Sequence, residues 1–260
     1  MVDELHQANP VGRFSGLVSD YAAHRPVYPD EAIDFVVART GLGPLSLVVD
    51  VGAGTGISSR LFAQHGFQVI GIEPNDEMRV QAQVESLPPP LASPAYRPGR
   101  AETTGLPDAC ADLVLAAQAF HWFEPSAALA EFRRILKPNG WVALLWYERD
   151  ESDPATAAFG AAMRTAPDAV RVEGPRMRAG EALADSPHVE SVEQSVFPHR
   201  QRHDRAGLLG RAFSASYAPR ESDAAEPFKA ALDAVFDRFQ QNGLVTLHYH
   251  TTVHLARRRA

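Results

Sequence analysis

Long apolar runs alternate with amphipathic stretches through the first 150 residues of the chain. The runs are nearly continuous in Val, Leu and Ile, which is typical of strands buried on both faces of a parallel sheet. Strands are predicted at 47–51, 67–73, 95–97, 112–117 and 141–147, of which 95–97 is the weakest. Apolar residues at helical spacing predict helices between them, at 30–40, 57–65, 76–86 and 125–136.

The pattern is less regular after residue 150. Residues 150–187 look helical but are interrupted by prolines and glycines. A strand is predicted at 189–197, helices at 205–217 and 224–241, and a final strand rich in Val, Thr and Tyr at 244–255. We therefore expect a regular α/β core, then a mostly helical region, then a closing strand.

The alternation of strand and helix predicts parallel βαβ units with right-handed crossovers. A sheet of this kind binds ligands outside the carboxyl ends of its strands. The residues at those ends are Gly52–Gly56, Glu73, 99–102, 118–122 and Tyr147. These positions are the first candidates for a functional site.

Composition and charge narrow the class of protein. The 260 residues are 45% hydrophobic and 22% charged, as in an ordinary globular protein. A formal net charge of -7 argues against a nucleic-acid partner held by phosphate neutralisation. Cys110 is the single cysteine, and no acid stands at metal-ligand spacing from His248 and His250, so neither a disulfide nor a metal site is predicted. Without an apolar run of membrane length or a signal peptide, a cytoplasmic protein is expected.

The stretch 47–56 carries the strongest chemical signal. A buried strand ends in glycines at 52, 54 and 56, which allow a tight turn and a close approach to a ligand. The following helix is expected to present free N–H groups to that ligand. Ile57 departs from the Gly-x-Gly-x-x-Gly fingerprint of dinucleotide sites. Asp50 would oppose a pyrophosphate but would suit the ammonium group of S-adenosylmethionine, directly or through water.

Glu73 ends the next strand, 17 positions after Gly56. A carboxylate in this place can accept hydrogen bonds from the ribose hydroxyls of an adenosine-containing cofactor. Both NAD and S-adenosylmethionine carry such a ribose, so Glu73 does not separate them. The glycine spacing and Asp50 favour S-adenosylmethionine.

Several motifs resemble the class I S-adenosylmethionine-dependent methyltransferases, and within them the branch of the trans-aconitate and related small-molecule carboxylate methyltransferases. The motifs are Tyr21-x-x-x-Arg25-Pro26-x-Tyr28-Pro29, Val49–Gly56, Gly71–Asn75, Ala101-Glu102-x-x-x-Leu106-Pro107, Gln118–Phe123 and Leu136–Gly140. They cover residues 10–150 and occur in the family's order, which makes them specific for the cofactor. The resemblance implies a Rossmann-like sheet of seven strands with helices on both faces, an antiparallel last strand, and a mostly helical insertion that covers the substrate.

The resemblance also implies which residues hold the cofactor. From the methionine end to the adenine end they are Gly52, Ala53 and Gly54 with Asp50 at the methionine, Gln118 near the sulfonium, Glu73 at the ribose, Pro74 and Met78 beside the adenine, and Ala101 with Glu102 at its edge. Many relatives have an acid where this chain has Arg100. Glu102 or a backbone carbonyl would therefore take that part of adenine recognition.

The candidate for reaction chemistry is His121, as a general base for a hydroxyl or amine acceptor or as a partner of a substrate carboxylate. A histidine packed beside aromatic residues is the equally weighted alternative. Substrate contacts are predicted for Tyr21, Arg25, Tyr28, Trp122, Tyr147, Phe213 and Tyr217. Arg25 would suit a carboxylate as a bidentate partner, whereas Phe213 and Tyr217 are equally compatible with packing.

The sequence thus predicts an S-adenosylmethionine-dependent methyltransferase that acts on a small molecule, at a carboxylate or hydroxyl oxygen, and releases S-adenosylhomocysteine. Two alternatives stay open: a protein that uses the bound cofactor for another reaction such as cyclisation, and the less favoured NAD(P)-dependent oxidoreductase. The expected organisation is an arm and helix at 1–40, a cofactor-binding core at 41–150, a helical region with one strand at 151–240, and the closing strand at 241–260. No nucleic-acid or membrane partner is expected, and the protein would be a monomer or a homodimer.

Overall fold

The computed structural model describes residues 25, 27–85, 87–167, 169 and 179–260. Its helices are α1 (Asp30–Thr40), α2 (Ile57–Gln64), α3 (Asp76–Val84), α4 (Pro125–Ile135), α5 (Pro154–Met163), α6 (Ala179–Ala184), α7 (Arg205–Phe213) and α8 (Ser222–Phe239), with a 3₁₀ turn at Phe120–Trp122. Its strands are β1 (Leu47–Val51), β2 (Gln68–Ile72), β3 (Ala95–Arg97), β4 (Ala111–Ala117), β5 (Leu136–Arg149), β6 (Val189–His203) and β7 (Val245–Arg258).

The seven strands form one sheet in the order β3-β2-β1-β4-β5-β7-β6. Strands β1 to β5 pair in parallel, and β7 runs antiparallel between β5 and β6. The predicted Rossmann-like sheet with an antiparallel last strand is confirmed. The chain changes direction across the sheet between β3 and β4, so the neighbouring ends of β1 and β4 form the switch point at which such sheets bind ligands.

Local sequence signals set several helix ends. Helix α1 ends at Gly41, which has a φ of 69° and so takes the left-handed conformation that glycine tolerates. Helix α3 starts after Asn75, whose side chain accepts the N–H of Met78 at 3.0 Å. Helix α4 has Pro125 in its first turn, and Glu124 caps its N–H groups.

Apolar residues are buried on both faces of the sheet, as expected for a doubly covered parallel sheet. On one face, β1, β4 and β5 pack against α1, α2, α5, α7 and α8. On the other face, the alternate residues of the same strands pack against α4 and α6. Leu113 and Leu115 belong to the first cluster, and Val114 and Ala116 belong to the second.

Three predicted boundaries need correction. Strand β6 continues beyond Phe197 to His203 because it pairs with β7 along its whole length. Strand β5 begins at Leu136 rather than at 141, and its first residues include Asn139 with a φ of 68°. Helix α7 ends at Phe213 rather than at 217. Long-range strand pairing and local backbone turns, which apolar periodicity does not report, decided these ends.

Within the described part of the chain, no helix combines the length and the apolar character that crossing a membrane requires. The same residues contain no group of three His, Cys, Asp or Glu side chains placed to hold a metal ion.

Candidate functional site

Two adjoining cavities open at the carboxyl ends of β1, β2 and β4. The first cavity is bordered by Glu73, Pro74, Met78, Gly99, Arg100, Ala101, Glu102, Ala119, Trp122 and Phe123. The second cavity is bordered by Arg25, Tyr28, Ala53, Thr55, Ile57, Ser58 and Tyr147. Gly52, Gly54, Ala117 and Gln118 border both cavities. Every predicted cofactor residue except Asp50 therefore lies on these walls.

The turn after β1 needs glycine at three positions. Gly52, Gly54 and Gly56 have φ angles of 72°, 57° and 83°, a region that is costly for residues with a Cβ atom. A Cβ on Gly52 would lie 2.7 Å from the Ala119 Cβ, and one on Gly56 would lie 2.1 Å from a tyrosine hydroxyl on β3. A Cβ on Gly54 would meet nothing closer than a methionine sulfur on α3 at 3.8 Å. Gly54 therefore keeps cavity space open, whereas the other two allow close packing.

The N–H groups of this turn are used inside the protein. Gly52 and Ala53 donate to the Ile72 carbonyl at 2.8 and 3.1 Å, and Gly54 donates to Glu73 Oε2 at 2.9 Å. The turn would therefore offer a ligand its carbonyl oxygens and its Cα surface rather than these N–H groups.

Asp50 is fully buried and borders neither cavity. Its Oδ2 accepts hydrogen bonds from the hydroxyls of Ser58 and Ser59 at 2.7 and 2.6 Å, and the Ser59 backbone N–H also bonds to the carboxylate. The expectation of N–H groups free for a ligand at the start of α2 is thus wrong at Ser59, because an internal anion already occupies that place.

Burial raises the pKa of Asp50, and the serine hydrogen bonds oppose the rise. Its Oδ1 is buried without a hydrogen-bond partner among the described residues. Since Asp50 stands behind the cavity wall, only the indirect form of its predicted role, through a bridging water, fits this geometry.

Glu73 is held firmly where β2 ends. Its side chain is 7% exposed, Oε2 accepts the N–H of Gly54 at 2.9 Å, and Oε1 accepts the N–H of Asn75 at 2.8 Å. Burial raises the pKa of Glu73, and these two backbone hydrogen bonds oppose the rise. Because each carboxylate oxygen can accept a second hydrogen bond, the side chain retains two acceptors for a ligand in the first cavity.

The loop at 99–102 forms another wall of the first cavity. Glu102 Oε1 accepts the N–H of Glu124 at 2.9 Å, which ties this loop to the start of α4. The Arg100 side chain is 59% exposed and lies 3.7 Å from the other Glu102 oxygen. Ala101 is 4% exposed. The predicted adenine-edge residues thus stand on the cavity wall, with one carboxylate oxygen of Glu102 already engaged.

Gln118 lies at the junction of the two cavities. Its backbone has a φ of 56°, which is uncommon for a residue other than glycine and concentrates at functional sites. Its Nε2 donates to the Tyr147 carbonyl at 3.1 Å, while Oε1 is buried without a hydrogen-bond partner among the described residues. An acceptor without a partner at this junction points to a ligand that supplies the donor.

Three predicted substrate residues meet in the second cavity. Arg25 donates to the Tyr147 hydroxyl and to the Ser214 carbonyl, each at 3.1 Å. The rings of Tyr28 and Tyr147 are 5.8 Å apart. The arm ahead of α1 is therefore joined to the end of β5 and to the segment after α7, beside the glycine turn.

Other predicted residues within the described part of the chain do not border the second cavity. His121 borders neither cavity, and its ring lies 4.9 Å from that of Trp122. Trp122 borders the first cavity, on the side of the predicted cofactor residues rather than of the substrate residues. Phe213 packs on a phenylalanine of α8 at 5.3 Å, and Tyr217 is 7% exposed without bordering either cavity. Tyr21 lies outside the described residues.

Some wall residues were assigned no individual contact from the sequence. Phe123 borders the first cavity while packing against both core clusters. Gly99 and Thr55 also border the cavities. Their positions immediately after β3 and β1 were the available signal, because loops at these strand ends face the ligand side of the sheet.

S-adenosylmethionine fits the first cavity by the chemistry of its walls. Glu73 offers paired acceptors suited to ribose hydroxyls, and the bare Cα of Gly54 leaves room beside them. Pro74 and Met78 offer apolar surface to a base. A pyrophosphate fits less well, because it would need hydrogen-bond donors at the start of α2. The Asp50 carboxylate already accepts hydrogen bonds from Ser58 and Ser59 there.

Comparison with known proteins agrees with this geometry. Residues 49–144 match the family model described as a methyltransferase domain. An uncharacterised methyltransferase-like protein of Schizosaccharomyces pombe is 36% identical to the chain over 138 residues, which are 53% of this chain and 52% of the relative. The chain thus spans about half the length of the curated relatives it matches.

Solved structures share the fold of this chain. A protein of Anaeromyxobacter dehalogenans proposed to be a type II methyltransferase is 24% identical with a TM-score of 0.61, covering 90% of this chain and 97% of its own. The cyclase SpnF is 17% identical with a TM-score of 0.57, covering 99% of this chain and 96% of its own. These likenesses show the fold, which proteins named for different reactions share.

Proposed function

We propose that the protein is an S-adenosylmethionine-dependent methyltransferase that transfers a methyl group to a carboxylate or hydroxyl oxygen of a small molecule. The observation that carries this proposal is the arrangement of Glu73. Its carboxylate is locked by two backbone N–H groups, faces the first cavity, and joins the glycine turn to the end of β2. The segment 49–144, which matches the methyltransferase-domain model, contains all of these parts.

The chain's own residues would hold and orient the cofactor. Glu73 would accept hydrogen bonds from the ribose hydroxyls, and Pro74 and Met78 would contact the adenine. Gly54 would allow the close approach of the methionine portion. Gln118 Oε1, at the junction of the cavities, would face the region near the sulfonium. When bound, S-adenosylmethionine would supply a methyl group on a positively charged sulfur. An oxygen nucleophile of the acceptor would bond to the methyl carbon in line with the C–S bond, and S-adenosylhomocysteine would be the leaving group.

The acceptor would bind in the second cavity, where Arg25, Tyr28 and Tyr147 meet. Positioning then supplies most of the catalysis. A carboxylate acceptor arrives ionised and needs no base, so the absence of His121 from the cavity walls is compatible with such an acceptor. A hydroxyl acceptor would need a base, and His121 remains the candidate for that case. Since only a hydroxyl acceptor needs a base, and His121 borders neither cavity, a carboxylate acceptor is favoured.

The proposal is tested by incubating the purified protein with S-adenosylmethionine and a panel of carboxylic acids and phenols. Release of S-adenosylhomocysteine and of a product heavier by one methylene unit, both followed by mass spectrometry, is the expected result. Reactions without acceptor are the control. Tight binding of S-adenosylhomocysteine without methyl transfer to any acceptor would favour the alternative of a cofactor-dependent reaction such as cyclisation. Tighter binding of NADH than of S-adenosylhomocysteine would instead favour an oxidoreductase.

A further inference from the structure

Among the described residues, a buried arginine near the second cavity has no carboxylate partner. Arg211 on α7 is 5% exposed, and its Nε is buried with no hydrogen-bond partner among the described residues. Within that part of the chain its guanidinium forms no ion pair, whereas Arg205 on the same helix pairs with Asp233 and Asp237. A buried charge is costly unless an opposite charge or hydrogen bonds compensate it.

Arg211 belongs to a group of polar side chains around Tyr249. Its guanidinium carbon lies 5.8 Å from the centre of the Tyr147 ring, and the rings of Tyr147 and Tyr249 are 5.9 Å apart. His199 stacks on Tyr249 at 5.4 Å. Among the described residues, His199 Nε2 and Arg211 Nε are buried without hydrogen-bond partners, and the Tyr249 hydroxyl lies within hydrogen-bonding reach of Arg211. We call Arg211, Tyr249 and His199 the Arg211 cluster.

Arg211 and Tyr249 supply hydrogen-bond donors to the Arg211 cluster. His199 Nδ1 lies 3.3 Å from the Thr251 hydroxyl, the ring also bonds to the Phe197 backbone, and burial lowers the pKa of His199. A guanidinium beside a phenol suits an anion.

Tyr147 links the Arg211 cluster to the second cavity. Tyr147 borders that cavity, whereas Arg211, Tyr249 and His199 border neither cavity, and the Tyr147 hydroxyl accepts a hydrogen bond from Arg25 at 3.1 Å. Two guanidinium groups therefore flank one tyrosine on the substrate side of the site, in a chain with a formal net charge of -7. Local positive charge against an acidic background attracts anionic ligands.

We propose that the Arg211 cluster binds a carboxylate of the methyl acceptor, which makes Arg211 a determinant of substrate specificity. This inference rests on the proposed function, because it names the chemistry of the acceptor for that site. The bound carboxylate would supply the opposite charge that Arg211 lacks within the described residues.

The test measures binding rather than turnover. Succinate, citrate and benzoate are titrated calorimetrically into protein saturated with S-adenosylhomocysteine, with succinamide as the neutral analogue and inorganic phosphate as a second anion. We expect at least one carboxylate to bind, succinamide not to bind, and R211M to weaken the carboxylate at least about tenfold through loss of charge-assisted hydrogen bonds. R211K should recover part of this loss, because it restores the charge without the guanidinium geometry.

The matched control is R205M, which removes an exposed arginine from the same helix and should leave carboxylate affinity within about twofold of wild type. Unchanged S-adenosylhomocysteine affinity in R211M shows that this variant is folded. Wild-type affinity for carboxylates in folded R211M, binding of no carboxylate, or tighter binding of phosphate or succinamide would each overturn the inference. Failure of the wild type to bind S-adenosylhomocysteine would instead overturn the proposed function, and carboxylate binding without methyl transfer would leave the anion site standing.

Discussion

At the residue scale, Glu73 shows how a position at the end of a strand places a fixed carboxylate on a cavity wall. Its place after β2 was readable because the apolar run 67–72 stops there. The structure adds that backbone N–H groups of Gly54 and Asn75 fix both carboxylate oxygens. A side chain held in this way loses little conformational entropy when a ligand binds, which favours affinity.

Glu73→Gln should weaken S-adenosylhomocysteine binding by on the order of 1–3 kcal/mol, because the variant loses charge-assisted hydrogen bonds to the ribose. The substitution also replaces one carboxylate oxygen by an amide NH₂ group. That group cannot accept the hydrogen bond that the oxygen now receives from a backbone N–H. Isothermal titration calorimetry measures the change. Glu226→Gln, an exposed position on α8, is the matched control and should bind like the wild type. Wild-type affinity in folded Glu73→Gln would rule out the ribose assignment.

At the scale of elements, the turn between β1 and α2 uses its backbone N–H groups inside the protein. In a nucleotide-binding loop such groups contact phosphate. The buried Asp50 satisfies the start of α2, and Ile72 and Glu73 receive the N–H groups of Gly52 to Gly54. These hydrogen bonds hold the turn against the end of β2 without a ligand. The ligand side then depends on the space that Gly54 leaves open.

Gly54→Ala and Gly66→Ala form a matched pair that separates backbone strain from loss of space. Both glycines have a positive φ, at 57° and 90°, so each substitution should cost about 1–2 kcal/mol of stability. A Cβ on Gly66 would meet no atom within 4 Å, and Gly66 borders neither cavity. Only Gly54→Ala should therefore weaken S-adenosylhomocysteine binding, by at least about tenfold. Chemical denaturation and calorimetry check the two effects, and equal affinity in both variants would contradict the assignment.

At the scale of the whole molecule, the sheet is covered on both faces and buries two carboxylates at its ligand-binding edge. Asp50 is fully buried and Glu73 nearly so, and burial raises the pKa of each. No ion pair compensates Asp50 within the described residues; only serine and backbone groups do. The site is thus assembled at some cost to the stability of the fold.

This cost predicts a pH dependence of stability. A carboxyl whose pKa is raised on folding binds its proton more tightly in the native state, so the stability it contributes is lost as pH rises from its usual value of 3.8 through the folded pKa. We expect Asp50→Asn to remove this loss, which cannot exceed about 1.4 kcal/mol per pH unit for one group. Urea denaturation of wild type and variant from about pH 4 to about pH 8 measures it. Parallel stability curves over this range would show that Asp50 is ionised without penalty.

The sequence by itself determined the strands of the α/β core, the glycine turn and the strand-end residues that border the first cavity. These features depend on local signals: continuous apolar runs, positive-φ glycines at 52 to 56, and polar residues where a strand stops. All predicted cofactor residues except Asp50 border the cavities for this reason. Parallel strands bring their carboxyl ends to one edge whatever lies between them in the chain.

Only the tertiary structure decided which distant side chains gather around Tyr147. Arg25 meets Tyr147 across 122 positions, Arg211 lies buried beside the same ring, and His121 borders neither cavity despite its place after β4. Side-chain direction and helix packing settle such contacts, and neither follows from spacing along one strand or helix. The walls of the first cavity therefore follow from local signals along the chain. The surroundings of Tyr147 depend instead on how Arg25, α7 and β7 pack together.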